Sequence, residues 1–217
     1  MLEKNKIYCV DCLEGIKKLD AESVDLILTD PPYGLNKKGI QNDSDLSLFY
    51  NILPEFHRVL KKDSFLITFF STKYLPELFK NNPFQYLWQI VLYCPNGSVS
   101  SSVGYTKFMS VIIFKKGNPK IKKANKDIFV DTPGRMVEPE EGYINHPTPK
   151  PTKFIKELLE MFSKEGELIL DPFIGSGSTA VACQDINRNF IGFEIDKKYC
   201  DLANKRLLVK RKQIKDF

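Results

Sequence analysis

Short runs rich in aliphatic, β-branched and aromatic residues recur along the chain at 6–10, 24–28, 64–70, 85–93, 108–114, 167–170 and 190–193. Several are continuous apolar stretches, which strands adopt when both faces of their sheet are covered. Between most of them lie segments with apolar residues three to four apart, at 45–61, 72–80, 152–163, 177–186 and 196–212, which predict helices. Ser176 and Asp196 stand where helix N-caps would. This alternation predicts an α/β fold, an open, mostly parallel, twisted sheet with helices on both faces. At 217 residues, 42% apolar and 27% charged, the chain has the composition of one globular domain, 1–217, and it contains no internal repeat.

Residues 117–151 break the pattern, with six of the thirteen prolines, an acidic run from Glu138 to Glu141 and no sustained period. They read as an insertion between two parts of the sheet, and the irregular segments 34–44 and 94–104 are two further long loops. Loops of this kind border functional clefts more often than they fill cores. No window has the roughly 18 apolar residues a bilayer span needs. The opening residues Met1 to Lys6 lack the apolar centre of a signal peptide, so neither membrane nor export is expected.

Five scattered cysteines, an odd number, argue against a disulfide framework and fit a reducing cytoplasm. Cys9 and Cys12 spell Cys-x-x-Cys, but no second pair completes a zinc site, and buried structural thiols are the simpler reading; no metal is expected. The formal charge is only +5, yet Lys115, Lys116, Lys120, Lys122, Lys123 and Lys126 fall within twelve acid-free residues, and Lys205 to Lys215 form a second basic cluster. Both suit either phosphate contact or solvated faces, and the C-terminal cluster reads as a solvated helix face.

Two segments carry chemistry. In Leu168-Ile169-Leu170-Asp171-Pro172-Phe173-Ile174-Gly175-Ser176-Gly177-Ser178-Thr179 an apolar strand runs into a glycine turn and then a helix. Glycines let a ligand approach the backbone, and the first N–H groups of the helix point at negative charge. About twenty residues on, a second strand ends in Glu194, placed to accept hydrogen bonds from ribose hydroxyls. The turn lacks the lysine of a phosphate-binding loop, so a nucleoside triphosphate is disfavoured. The second segment, Val24 to Gly34, is a strand followed by Asp30-Pro31-Pro32-Tyr33. The prolines stiffen the turn, leaving the Asp30 carboxylate and Pro31 carbonyl as adjacent acceptors beside an aromatic ring, an arrangement suited to a planar amine.

Together, Asp30-Pro31-Pro32-Tyr33 and Asp171-Pro172-Phe173-Ile174-Gly175-Ser176-Gly177 resemble the paired signature of S-adenosylmethionine-dependent DNA amino-methyltransferases. His146-Pro147-Thr148-Pro149-Lys150-Pro151 resembles that family's His-Pro-Thr-x-Lys-Pro motif, and Asp11-Cys12 its adenine-side acidic motif. The order, catalytic motif before cofactor motif, resembles the permuted β class, whose target-recognition region would here be the short insertion at about 117–145. Two departures are Ser178, where the family often has Thr, and Pro149, where it often has Gln.

The resemblance implies S-adenosylmethionine as methyl donor and double-stranded DNA as substrate, with the target base flipped out and methylated at its exocyclic nitrogen. Asp30, Pro31, Pro32 and Tyr33 would be catalytic, Tyr33 stacking on the base. Cofactor contacts would come from Asp30, from Asp11 and Cys12 at the adenine, from Asp171 and the turn Phe173, Gly175, Ser176, Gly177, Ser178 and Thr179 at the methionine part, from Glu194 at the ribose, and from His146, Thr148 and Lys150 at the methionine carboxylate. Lys37, Lys38, Lys115 and Lys116 are candidate DNA contacts. Adenine N6 is the favoured target, because Asp heads the catalytic tetrad. Alternatives are cytosine N4, an RNA base or a protein amide, and a non-catalytic DNA-binding subunit. A second copy of the chain and a cognate restriction endonuclease are the partners such an enzyme would have.

Overall fold

In the computed structural model the described residues are 2–34, 45–95, 99–101, 104–130, 137–138, 142–143 and 150–215. The elements run β1 (Lys6–Cys9), α1 (Cys12–Ile16), β2 (Val24–Thr29), α2 (Ser47–Val59) and β3 (Leu60–Phe70). A 3-10 turn (Thr72–Tyr74) leads into α3 (Leu75–Leu78), followed by β4 (Gln85–Tyr93), the hairpin β5 (Val99–Ser101) and β6 (Gly104–Thr106), β7 (Phe108–Lys116) and β8 (Ile128–Val130). After the small pair β9 (Val137–Glu138) and β10 (Gly142–Tyr143) come α4 (Thr152–Phe162), β11 (Leu168–Asp171), α5 (Ser178–Asp185), β12 (Asn189–Glu194) and α6 (Lys197–Lys215).

Eight strands form one sheet in the order β1-β12-β11-β2-β3-β7-β4-β8. Only β7 runs against its neighbours; every other pairing is parallel. The strand side chains feed two cores. Leu26, Leu28, Phe65, Ile67 and Ile169 join the core under α4, α5 and α6. Ile27, Leu66, Leu170 and Ile191 join the core under α1, α2 and α3. Burial on both faces is why these strands read as unbroken apolar runs.

The expected α/β architecture is the observed one, with differences at element ends. The segment expected as a helix from Thr72 is a 3-10 turn followed by a single turn of α3, with Pro76 in that first turn. Helix α1 was not anticipated: five residues hold too little periodicity to register, and Gly15 within it lies so close to the Phe193 ring that a Cβ would approach to 2.8 Å. The insertion is not all loop, since β8 pairs parallel with β4 from Val91↔Ile128 to Tyr93↔Val130. A strand of three residues is too short to show a period. The cap of α5 is Gly177, at φ +84°, rather than Ser176, whereas Asp196 accepts from Lys198 N at 2.8 Å as a cap should. No helix among the described residues is long and apolar enough to cross a membrane.

Candidate active site

The centre of the sheet is its topological switch point. From β11 the chain crosses to β12 through α5 on one face, and from β2 it crosses to β3 through α2 on the other. Helices leaving adjacent strands on opposite faces open a crevice at the strands' carboxyl ends, where open α/β sheets bind ligands. A cleft lies there, lined by Asp30, Lys150, Phe69 and residues of the turn between Phe173 and Thr179.

Asp30 follows directly on β2. Its Oδ1 accepts the Tyr33 hydroxyl and its Oδ2 pairs with the Lys150 ammonium, which also lies 5.1 Å from the Phe69 ring centroid. Both members of the ion pair are largely shielded from solvent. The Tyr33 ring meets Phe70 edge-on at 5.7 Å, so the end of β3 sets its plane. Gly34 permits the turn at φ +71°, since a Cβ there would approach Asp45 Cα to 2.9 Å. Lys150, expected at a cofactor carboxylate, is thus joined to the catalytic-motif carboxylate.

The glycine turn is built around Asp171. Its carboxylate accepts the Thr29 hydroxyl at 3.0 Å, the Thr179 hydroxyl at 2.6 Å and Phe173 N at 3.1 Å. Burial pushes its pKa up to about 7, against the lowering effect of those three donors and with a further upward contribution from Asp30. Asp171 and Thr179 line the cleft, but their polar groups are engaged within the protein: they shape the turn. Thr29 was not singled out from sequence, although its place directly before Asp30 was the available signal; it ties β2 to β11.

At the ends of β12 and β1 stand two acids. Glu194 accepts Gly175 N at 3.0 Å and Asp196 N at 2.8 Å, and burial raises its pKa despite these bonds. Asp11 caps α1, accepting Leu13 N at 2.8 Å and Glu14 N at 3.3 Å. The register Cys9↔Glu194 sets both acids on the same edge of the crevice. Cys12 is the buried thiol that the sequence reading expected there: its side chain belongs to the core under α2, and burial pushes its thiol up to about 12. Among the described residues no group of three His, Cys, Asp or Glu side chains is arranged to hold a metal.

Four expected site residues, Lys37, Lys38, His146 and Thr148, lie outside the described residues. Lys115 and Lys116 stand away from the crevice. In the register Phe65↔Lys115 and Ser64↔Lys116 they lie at the carboxyl end of β7, at the end of the sheet opposite the crevice. Lys116 Nζ donates to the carbonyls of His57 at 2.8 Å and Leu60 at 2.6 Å and pairs with Glu22 at 3.3 Å. Its charge ties β7 to the end of α2 instead of facing a phosphate. Arg206 corrects the view of α6 as a solvated face, being only 3% exposed.

Residues 24–205 match the family model described as DNA methylase, of the N6/N4 methyltransferase class. The type II methyltransferase M2.DpnII of Streptococcus pneumoniae is 30% identical to this chain over 247 residues, covering 94% of this chain and 90% of that protein. The DNA adenine methyltransferase YhdJ of Escherichia coli is 29% identical, over 94% of this chain and 83% of its own length. Among solved structures the complex of M1.HpyAVI with SAM has the same fold, with a TM-score of 0.73 over 93% of this chain and 98% of that one at 23% identity. Since the family match extends from β2, directly before Asp30, to the helix beyond Glu194, the chain belongs to the N6/N4 DNA methylase family.

Proposed function

We propose that the chain methylates the exocyclic N6 of adenine in double-stranded DNA, using S-adenosylmethionine and acting on a base flipped out of the duplex. The observation that carries this reading is the cleft at the switch point, in which the Asp30 carboxylate and the glycine turn face one another across the Thr29–Asp171 bond. The donor set fits the cofactor: amides of the turn and first helical turn suit a carboxylate, and Glu194 and Asp11 are acceptors for ribose hydroxyls and an adenine amine. When bound, S-adenosylmethionine supplies a methyl group made electrophilic by its sulfonium.

The chain's own residues prepare the acceptor. Asp30 and the Pro31 carbonyl accept the two amine hydrogens, which draws the nitrogen from planar towards tetrahedral and frees its lone pair for in-line attack. A carboxylate has about four acceptor positions, so Asp30 takes an amine hydrogen while Tyr33 and Lys150 hold its orientation. The proton leaves only after the nitrogen has become cationic, so Asp30 is an orienting acceptor before it is a base. Tyr33 stacks on the extruded ring, replacing stacking lost from the duplex, worth about 1–3 kcal/mol. Partners on this reading are a second copy of the chain across the duplex and a restriction endonuclease of the same site, with DNA in the cytoplasm as the substrate.

The test is transfer of labelled methyl from S-adenosylmethionine to genomic DNA, followed by digestion to nucleosides and mass identification. N6-methyladenine supports the reading and N4-methylcytosine corrects the base. Cofactor binding without either product would redirect the search to RNA and protein acceptors.

A further inference from the structure

One face of α6 backs the cofactor site at intervals of three residues. Cys200 Sγ lies 3.4 Å from the Glu194 carbonyl. Ala203 lies beneath Gly177, where a Cβ would approach the Ala203 Cβ to 2.8 Å. Arg206, 3% exposed, donates through Nη1 to the Ser176 carbonyl at 2.6 Å, and the same nitrogen lies 3.5 Å from the hydroxyls of Ser176 and Ser178. The first two contacts fix where helix and turn sit. The third fixes the orientation of one peptide.

That peptide joins Ser176 to Gly177. Glycine at φ +84° has no Cβ to resist rotation, so the orientation of the 176–177 unit depends on what its N–H and carbonyl are bonded to. Its N–H is held by the Ile174 carbonyl at 2.9 Å and its carbonyl by Arg206. A charge-assisted bond from a buried guanidinium is stronger than a neutral one and directional. Keeping this oxygen on the α6 side keeps an electronegative atom away from the cleft, where the amides opening α5 at Ser178 and Thr179 have no intrahelical acceptor.

We infer that Arg206 is a positioning residue for the methionine-binding half of the cofactor turn, acting through Ser176. The inference rests on the proposed use of S-adenosylmethionine, and it is selective. The acid assigned to the ribose, Glu194, is held by separate bonds from Gly175 N and Asp196 N. Loss of the guanidinium therefore weakens the hold on the amino-acid part of the ligand and spares the nucleoside part.

The experiment is calorimetric titration of the wild type, Arg206→Met and Arg206→Lys with S-adenosylmethionine and with 5′-methylthioadenosine, which keeps the nucleoside and lacks the amino-acid group. Arg206→Met should weaken S-adenosylmethionine about tenfold or more and 5′-methylthioadenosine by less than about twofold. Arg206→Lys, a cation without the planar fork, should fall between. Thermal melts report whether each variant is folded; should the Met variant not fold, the Lys variant carries the same comparison. Equal weakening of both ligands would mean a merely structural arginine, and no weakening would mean no role; either overturns the inference. Failure of the wild type to bind S-adenosylmethionine would overturn the parent reading itself.

Discussion

Asp30 and Asp171 sit at the ends of neighbouring strands and do opposite things with their charge. Asp30 is held by a cation and a hydroxyl at the cleft, and Asp30→Ala should retain S-adenosylmethionine binding while losing about 100-fold or more in methyl transfer. Comparable turnover in that variant would reject the assignment. Asp171 is walled in, with its pKa raised to about 7 by burial. In an unfolded chain it would titrate near ~3.9, so between these values the folded state binds the extra proton. Its contribution to stability is therefore greatest at and below the unfolded value and falls as pH rises through about 7. Melting curves of wild type and Asp171→Asn should show the variant gaining on the wild type from pH 5 to 8; a constant difference would mean the carboxyl is not perturbed in this way. Asp30 was legible from its place between an apolar strand and two prolines. The structural duty of Asp171 was not, because its three donors come from residues 29, 173 and 179, and only the paired strands bring the first of them to it.

Among elements, the strand–turn–helix of β11 and α5 was readable from its glycines, and the reason Gly177 is required lies in a neighbour. Gly177→Ala faces both a positive φ and a Cβ contact with Ala203 on α6, so it should cost about 1–3 kcal/mol of stability and weaken cofactor binding. Unchanged melting and titration would show that α6 yields. The basic run at the end of β7 gives the contrary case. As charge along a chain it looked like a phosphate contact, but Lys116 bonds two carbonyls at the end of α2 and the start of β3. Lys116→Met should lower the melting temperature, at a cost of about 1–3 kcal/mol, without changing DNA affinity in a filter-binding titration. A drop in affinity at unchanged stability would restore the DNA role. Lysines at a helix end and lysines on DNA share one composition, and only the partner's position separates them.

For the molecule as a whole, the two halves of the site lie about 140 residues apart in sequence and meet as neighbouring strands, Ile169↔Leu26 and Leu170↔Ile27. These central strands are covered on both faces, whereas β8 is a three-residue edge with Ile128 and Val130 exposed. Hydrogen exchange should accordingly be slowest in peptides spanning β2, β11 and β12 and fastest at β8, by the cost of opening each. Protection of β8 equal to that of the centre would mean that something covers that edge. Sequence alone determined the α/β class and most of the strands, and it marked out Asp30 to Tyr33 and the Phe173 to Thr179 turn, because each is written locally as a period, a breaker or a short motif. Tertiary structure decided which of the named side chains face the cleft. It turned Cys12 into the core, sent Lys115 and Lys116 to the far end of the sheet, joined Lys150 to Asp30 and buried Arg206 behind the turn. Strand order and helix packing set those placements through contacts between residues remote in the chain, and no local pattern records such contacts.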